Sequence, residues 1–368
     1  MRVIRTIVSL LGTAAGACGA GTTDAATGGG DSAPPGAGAP IGCLASSECP
    51  TGWTCNDFHA CVAPPPMSDG GVPAETEIVL GPPTSSQRFV YVAMTAQGEL
   101  ARIDGETLAV ATTPVGAAPR AVATIPGSDG AVVLDTANGA ATVVRPVLTG
   151  GDGTRVLPTL PSLNRIDIDP TGKFAVIWFD LVRALEDGTG STGSFQDVVV
   201  AGLAPGHETS VALTVGFRPR AMQFDAAGTR AYAITQDGVS VIDLADAALH
   251  GPRFVPPIAV AEPGVVPDDL EVQVVATGDY AAVRQAGHAG VRVVGLAGAA
   301  RGQTWDVPLA APPTDIDLAP DGSRIYAVER GTATLAIIDI PGDALEPSGV
   351  ATVDLSPATV GSIAVSAD

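Results

Sequence analysis

Apolar and polar residues recur along this chain in copies of one pattern. The clearest copy, Pro313–Ile340, reads as a strand, a Pro-Asp-Gly turn, a second strand, a polar turn and a third strand that ends in Asp. Pro219–Leu244 follows the same plan with little sequence in common. Turn glycines mark five copies at intervals of 42 to 56 residues, at Gly130, Gly172, Gly228, Gly278 and Gly322. The longest interval indicates an insertion, Leu181–Ser194, between two strands of the third copy. A repeat of short strands with a period of about 40–50 residues predicts an all-β fold in which small sheets close into a ring.

The count of copies predicts a β-propeller with six four-stranded blades. The first copy offers three strands, Arg88–Met94, Glu99–Asp104 and Thr107–Val115. The carboxy-terminal Ser362–Asp368 matches the inner strand that this copy lacks. We therefore expect the carboxy-terminal strand to complete the first blade, because ring closure removes exposed sheet edges. The alternatives are a seven-bladed ring and an inner strand supplied by Glu77–Leu80.

Several phrases resemble the YVTN-type propeller repeat, which is also found in lactonase-like and nitrite-reductase-like propellers. Arg88–Met94 is similar to its first strand, with Met94 where Asn is usual, and Asp321–Tyr326 is similar to its turn. The Ile-Asp strand endings at Asp104, Asp243 and Asp339 also match. The resemblance covers Gln87–Asp368 and implies the propeller fold, but its motifs specify function poorly.

One polar position recurs in phase, five residues before the turn glycine. It is occupied in four consecutive copies by Asp167, Gln223, Gln273 and Asp317. A polar side chain buried there without a partner costs about 1–3 kcal/mol, so the position predicts a hydrated channel or a bound ion. Oxygen donors with two carboxylates suit calcium better than zinc, which makes Asp167 and Asp317 the candidate metal ligands. A channel filled with water and no specific ligand is the simpler interpretation.

Charged residues also cluster where the inner strands begin. Three copies carry arginine there and two carry aspartate, at Arg120, Arg165, Arg220, Asp268, Asp269 and Asp315. If both sets reach one rim, the rim is polarised and could orient an anionic or zwitterionic ligand. The alternative is a set of ordinary solvated loops of mixed charge.

The amino terminus reads as an export signal. Arg2 and Arg5 supply the positive charge of a signal sequence, and Ile4–Ala17 supplies a short apolar segment that falls short of the about 20 apolar residues that a membrane span needs. The residues before Cys18 resemble the lipobox of bacterial lipoproteins. That resemblance implies a cleaved signal peptide at 1–17, acylation of Cys18 and a lipid anchor in a bacterial membrane, in first place the outer membrane. An ordinary signal peptide with an unpaired cysteine is the alternative.

Two short segments connect the anchor to the repeats. Residues 18–40 read as a disordered Gly/Ala/Thr/Pro tether, 41–63 as a cysteine module and 64–84 as a second linker before the propeller at 85–368. The module has regular C-x5-C spacing, with its cysteines at Cys43, Cys49, Cys55 and Cys61. In an exported chain this predicts two disulfides, with three pairings open and a zinc site as the alternative. Resemblance to small Cys-rich surface modules favours Cys43–Cys55 with Cys49–Cys61.

Composition restricts the partners. The formal charge is −20 and Lys173 is the only lysine, so a nucleic-acid partner is excluded. Neither a metal-binding histidine spacing nor a nucleophile motif appears, and no cofactor is predicted. We expect a non-enzymatic binding or scaffold module that meets an envelope protein or a small ligand. A lactonase-like hydrolase or a quinone-cofactor dehydrogenase is the alternative, and a purely structural envelope component is a third hypothesis.

Overall fold

The computed structural model describes residues 45–49, 51, 53–55, 61–62, 79–147, 152–188, 193–250, 253–342 and 349–366. The predicted signal peptide, the tether, Cys18 and Cys43 lie outside these residues. Residues 12–77 and 78–368 belong to separate compact units. In the described part, no helix is long and apolar enough to cross a bilayer.

The cysteine module contains a short 3-10 turn and a two-stranded antiparallel ribbon. The turn spans Ser46–Glu48, and the strands are β1 (Thr54–Cys55) and β2 (Cys61–Val62). A disulfide joins Cys49 to Cys61, as the favoured pairing predicts. Cys55 is disulfide-bonded as well. The disulfide prediction is therefore confirmed for the bond between Cys49 and Cys61.

Within the described residues, the second unit contains six four-stranded antiparallel sheets. We call them blades 1 to 6 in chain order, and each strand pairs with the next one in sequence. Blade 1 consists of β3 (Thr84–Ser85), β4 (Phe89–Met94), β5 (Glu99–Asp104) and β6 (Val110–Pro114). Blade 2 consists of β7 (Pro119–Thr124), β8 (Ala131–Asp135), β9 (Ala140–Arg145) and β10 (Gly153–Pro158). Blade 3 consists of β11 (Arg165–Ile168), β12 (Phe174–Trp178), β13 (Asp197–Gly202) and β14 (Thr209–Thr214).

The other three blades repeat this order. Blade 4 consists of β15 (Ala221–Phe224), β16 (Arg230–Thr235), β17 (Gly238–Asp243) and β18 (Pro257–Ile258). Blade 5 consists of β19 (Leu270–Val274), β20 (Tyr280–Gln285), β21 (Gly290–Gly295) and β22 (Thr304–Pro308). Blade 6 consists of β23 (Asp315–Leu318), β24 (Arg324–Glu329), β25 (Thr334–Asp339) and β26 (Ala351–Asp354). The chain is a six-bladed β-propeller, which confirms the predicted fold class.

Two short helices interrupt the strand pattern in the described part. Helix α1 (Leu181–Glu186) lies between β12 and β13, inside the insertion predicted in the third copy. Helix α2 (Leu244–Leu249) follows β17, and the Asp243 carboxylate caps it by accepting a hydrogen bond from the Asp246 amide. The carboxylate of Asp104 accepts from the Glu106 and Thr107 amides in the same way. Both strand-ending aspartates therefore accept hydrogen bonds from amides of the turn that follows.

Apolar side chains from consecutive blades form the core. Strands with both faces buried, such as β8, read as continuous apolar runs because each blade packs against two neighbours. Five buried clusters fill the interfaces between blades 1 and 2, 2 and 3, 3 and 4, 4 and 5, and 5 and 6. No corresponding cluster joins blade 6 to blade 1 among the residues that the structure describes. There, Val90 and Val92 on one side and Tyr326 and Ile337 on the other are only half-buried.

The inner strand of blade 1 is not the one expected from the sequence. Thr84–Ser85 pairs with Val90 and Tyr91, and Leu80 bridges Met94, so the segment before β4 supplies this strand. Residues 360–366 form no strand. The expectation that Ser362–Asp368 completes the first blade is therefore wrong, and the segment near the alternative Glu77–Leu80 takes its place. A segment joined to β4 by a short turn closes a much smaller loop than the distant tail, which makes its pairing entropically cheaper.

Candidate functional site

The in-phase polar side chains lie between neighbouring inner strands. Gln223 on β15 donates from Nε2 to the Val272 carbonyl at 3.1 Å and accepts at Oε1 from the Val274 amide at 2.7 Å. Its single amide group thereby satisfies two backbone groups of β19 in the next blade. This side chain links blade 4 to blade 5 at the centre of the ring.

The next two in-phase residues make the same kind of link. Gln273 donates to the Ile316 carbonyl of blade 6 at 2.8 Å, and also to Glu271 at 2.9 Å. Asp317 accepts from the Val365 amide at 2.6 Å. Asp315, two residues earlier on the same strand, accepts from the Ile363 amide at 2.8 Å. The carboxy-terminal tail is therefore held along β23 by two carboxylates in place of a strand ladder.

Asp167 has different partners. Its carboxylate accepts from the indole Nε1 of Trp178 at 2.6 Å and lies 3.5 Å from Nε of Arg165. Within the described part of the chain, no group of three or more His, Cys, Asp or Glu side chains is placed to hold a metal ion. The hypothesis of calcium at Asp167 and Asp317 stays a prediction. In the structure, the carboxylates of Asp167 and Asp317 each accept a hydrogen bond from another group of the protein.

All inner strands begin on one face of the ring, which we call the upper face. Because the strands alternate in direction, the turn between the second and third strand of each blade lies there too, including the segment with α1. Arg120, Arg165 and Arg220 occur on three consecutive blades at this face. Arg120 is exposed, and its side chain has no partner among the described residues.

The other two rim arginines are paired. Arg165 lies 3.0 Å from Asp180 and its guanidinium stacks at 5.3 Å from the Trp178 ring centre. Arg220 forms an ion pair with Asp268 at 3.0 Å and donates to the Pro267 carbonyl. Asp269 is exposed and Asp315 binds the tail. The predicted positive and negative sets thus meet between blades 4 and 5, and of the three rim arginines Arg120 is the one whose side chain has no partner among the described residues.

Sequence reasoning missed Arg218 and Phe217 in the loop before β15. Arg218 has a left-handed backbone, with φ of 51°, and its amide donates to the Phe195 carbonyl at 2.6 Å. Its guanidinium has no partner in the part of the chain described here. The ring of Phe217 is 40% exposed and lies 5.9 Å from that of Phe195, which in turn contacts Phe179 at 5.7 Å. No sequence motif marks these residues, since the loop and the insertion meet only in the folded chain.

Helix α1 also exposes apolar side chains on the upper face. Val182 and Leu185 are 65% and 61% exposed, while Ala184 is buried against blades 2 and 3. Exposed aromatic and aliphatic groups next to free guanidinium groups are typical of a binding surface. We call Arg120, Arg218, Phe217, Val182 and Leu185 the upper patch.

The basic residues of the lower face contrast with those of the upper patch. Arg88 pairs with Asp104 at 2.8 Å, Arg145 with Glu208 at 3.3 Å and Arg324 with Asp339 at 2.7 Å. The Arg88 guanidinium, followed by the turn amides, lowers the pKa of Asp104 to about 2. These ion pairs stabilise turns and neutralise the three arginines.

Two buried tyrosines make further links between blades. Burial raises the pKa of Tyr91 well above its usual range, and its hydroxyl donates to the Asp129 carbonyl in blade 2. Burial also raises the pKa of Tyr232 to about 12, and this hydroxyl donates to the Gly278 carbonyl in blade 5 at 3.0 Å. Both phenols therefore stay protonated at neutral pH and act as structural donors.

No family model matches the chain, and no curated protein matches it. Solved structures with a similar fold include hydrazine synthase from Kuenenia stuttgartiensis, at 17% identity over 76% of this chain and 82% of that one, with a TM-score of 0.40. A candidate 6-phosphogluconolactonase from Bacteroides uniformis is 17% identical over 77% of this chain and 85% of its own, with a TM-score of 0.39. Hsv2 from Kluyveromyces lactis is 11% identical over 75% and 78%, with a TM-score of 0.37. At such identities and TM-scores the likeness carries no inference about activity.

Proposed function

We propose that this chain is an exported lipoprotein of the YVTN-type repeat class whose propeller binds an anionic partner on its upper face without catalysing a reaction. The anchor would be acylated Cys18, in the outer membrane, with the cysteine module between anchor and propeller. The observation that supports binding is the upper patch, where the side chains of Arg120 on blade 2 and Arg218 in the loop between blades 3 and 4 have no partner among the described residues.

The positive charge of this patch is what an anionic partner requires. A chain of net charge −20 repels most anions, so an anionic partner needs a local region of positive field. Three arginines of the lower face are neutralised by carboxylates within 3.3 Å. Free guanidinium groups on the upper face can form bidentate, charge-assisted hydrogen bonds with carboxylate or sulfate groups.

The aromatic group supplies the apolar half of the contact. The ring of Phe217 packs against that of Phe195, which in turn packs against Phe179, so one face of Phe217 has a fixed neighbour and the other is open to solvent. A rigid aromatic ring contributes contact area at low cost in side-chain entropy. An acidic protein surface or an anionic polymer with apolar faces fits such a patch.

Binding is tested with fluorescein-labelled poly-L-glutamate and the doubly substituted Arg120→Ala/Arg218→Ala chain. The matched control is Arg155→Ala/Lys173→Ala, which removes two exposed basic side chains outside the patch. We expect the patch variant to weaken binding by about tenfold or more and the control to change it by less than about twofold. Equal losses in both variants would show non-specific charge attraction and overturn the proposal.

The enzyme alternative is tested separately. Native mass spectrometry of the protein from residue 19 onward, before and after chelation, measures bound metal or quinone. A stoichiometric metal or quinone would favour the enzyme, whereas a co-purified acidic partner would favour the binding protein.

The anchor has its own test. Labelling with a palmitate analogue is expected to occur in the unchanged chain and to disappear in Cys18→Ser. Continued labelling of that variant would remove the lipoprotein proposal while leaving the binding proposal intact.

A further inference from the structure

The outer strand of blade 4 is unusually short. β18 has two residues, Pro257–Ile258, which pair with Ser240 and Val239. The outer strands of the other blades have four to six residues. Pro256 and Pro257 have no amide hydrogen, so the ladder cannot be extended on their donor side. The outer layer of blade 4 therefore ends early.

The residues that would lengthen β18 pair with blade 3 instead. The Thr214 amide on β14 donates to the Arg253 carbonyl at 2.9 Å, and the Val255 amide donates to the Thr214 carbonyl at 2.8 Å. Phe254 forms a parallel bridge with Thr214, so this segment covers the outer edge of blade 3. A notch remains between the outer parts of blades 4 and 5.

The notch forms an open pocket of about 560 Å³. Its apolar wall comes from blade 4 and the following loop and includes Pro257 and Pro263. Its polar wall comes from blade 5 and the loop before β22 and includes Arg292, Arg301 and Thr304. A pocket of some hundreds of Å³ with few polar groups suits a small organic molecule.

The two guanidinium groups of the pocket differ in their partners. Arg292 donates to both carboxylate oxygens of Asp306, from Nε at 2.7 Å and Nη2 at 3.1 Å. Its third nitrogen, Nη1, lies 3.3 Å from Glu262, whose side chain is 74% exposed. An ion pair with so exposed a carboxylate is worth at most about 1 kcal/mol, so a ligand can replace it.

Arg301 is the less occupied of the two. It is exposed, and its Nη1 donates to the Leu296 carbonyl at 3.1 Å. Its Nε and Nη2 make no hydrogen bond to the described residues. Two donors on one edge of a guanidinium group match the two oxygens of a carboxylate.

We infer that this pocket binds a small carboxylate ligand with an apolar body. Arg301 holds the carboxylate, Nη1 of Arg292 assists it, and the proline wall contacts the apolar part. The site lies at the outer edge of the ring between blades 4 and 5, is built from residues outside the upper patch, and does not depend on the proposed function.

The test titrates the full chain with 3-phenylpropionate and with the neutral 3-phenylpropanamide by calorimetry. We expect the carboxylate to bind at least about fivefold more tightly than the amide, and Arg301→Gln to remove that preference. Arg155 lies outside the pocket, is exposed and has no side-chain partner among the described residues, so Arg155→Gln should leave the preference unchanged. No saturable binding up to about 10 mM, or an undiminished preference in Arg301→Gln, would overturn the inference.

The substitution Glu262→Gln should change the affinity for 3-phenylpropionate in the opposite direction to Arg301→Gln. Removal of this carboxylate frees Nη1 of Arg292, so 3-phenylpropionate should bind more tightly, by about twofold to fivefold. Glu186→Gln, an equal change in charge at an exposed site on α1, is the matched control. An equal gain in both variants would mean that only net charge matters, and it would overturn the assignment of the pocket.

Discussion

Gln223 and Gln273 occupy equivalent positions on neighbouring inner strands, and the amide group of Gln223 bonds the backbone on both sides of Gln273. The two contacts, to the Val272 carbonyl at 3.1 Å and the Val274 amide at 2.7 Å, use one donor and one acceptor. Only a side-chain amide can make both at once, because a carboxylate lacks the donor and a hydroxyl lacks the span.

We therefore predict that Gln223→Glu destabilises the propeller. The glutamate oxygen would face the Val272 carbonyl with no hydrogen between them, so the free energy of unfolding should fall by about 1–3 kcal/mol. Urea denaturation measures this, and Gln97→Glu, at an exposed turn glutamine, is the control. A loss no greater than that of the control would show that the link is not stabilising.

The second prediction concerns the tail. Asp317 accepts from the Val365 amide at 2.6 Å and, with its other oxygen, from the Leu318 amide at 2.9 Å, whereas an asparagine has a single acceptor oxygen for the two amides. Hydrogen exchange should therefore become faster at Val365 in Asp317→Asn, while Ile363 keeps its bond to Asp315 and changes less. Unchanged protection of the Val365 amide would contradict the role of this carboxylate.

The third prediction concerns the turn between the first two strands of blade 4. Asp225 is 4% exposed, and its carboxylate accepts from the Thr229 and Arg230 amides and the Thr229 hydroxyl. Asp225→Ala leaves buried donors without partners and should lower the free energy of unfolding by about 2–3 kcal/mol. Asp321→Ala, at an exposed aspartate directly before Gly322 in the corresponding turn of blade 6, should lower the free energy of unfolding clearly less in the same urea assay.

The fourth prediction is a pH dependence. Because Arg88 and the turn amides lower the pKa of Asp104 to about 2, this group stabilises the folded state above its unfolded pKa of about 4. That contribution should be lost as the pH falls from about 4 to 2. The difference in melting temperature between the unchanged chain and Asp104→Asn should shrink over this range.

A control for the pH dependence is Glu106→Gln, since Glu106 lies 3.9 Å from the same arginine. The difference in melting temperature between Glu106→Gln and the unchanged chain should vary less between pH 4 and 2 than the corresponding difference for Asp104→Asn. A constant difference for Asp104→Asn would exclude a stabilising role for its ionisation.

Much of the propeller follows from local signals. Alternating or continuous apolar runs and turn glycines are read over a few residues, and the strands of blades 2 to 6 lie where those signals put them. Gly228, for example, has φ of 63°, a conformation that favours glycine in the turn. The bond between Cys49 and Cys61 and the insertion with α1 were likewise within reach of sequence reasoning.

By itself, then, the sequence determined the period, the strands and their turns, because these depend on neighbouring residues. The tertiary structure decided which segment completes blade 1, what Gln223 and Asp317 bond, and where Arg218 meets the insertion. It also decided that Phe254 covers blade 3 and so opens the pocket beside Arg301. Each of these pairs residues that are distant in sequence, and the outcome depends on competition between partners that only the folded ring brings together.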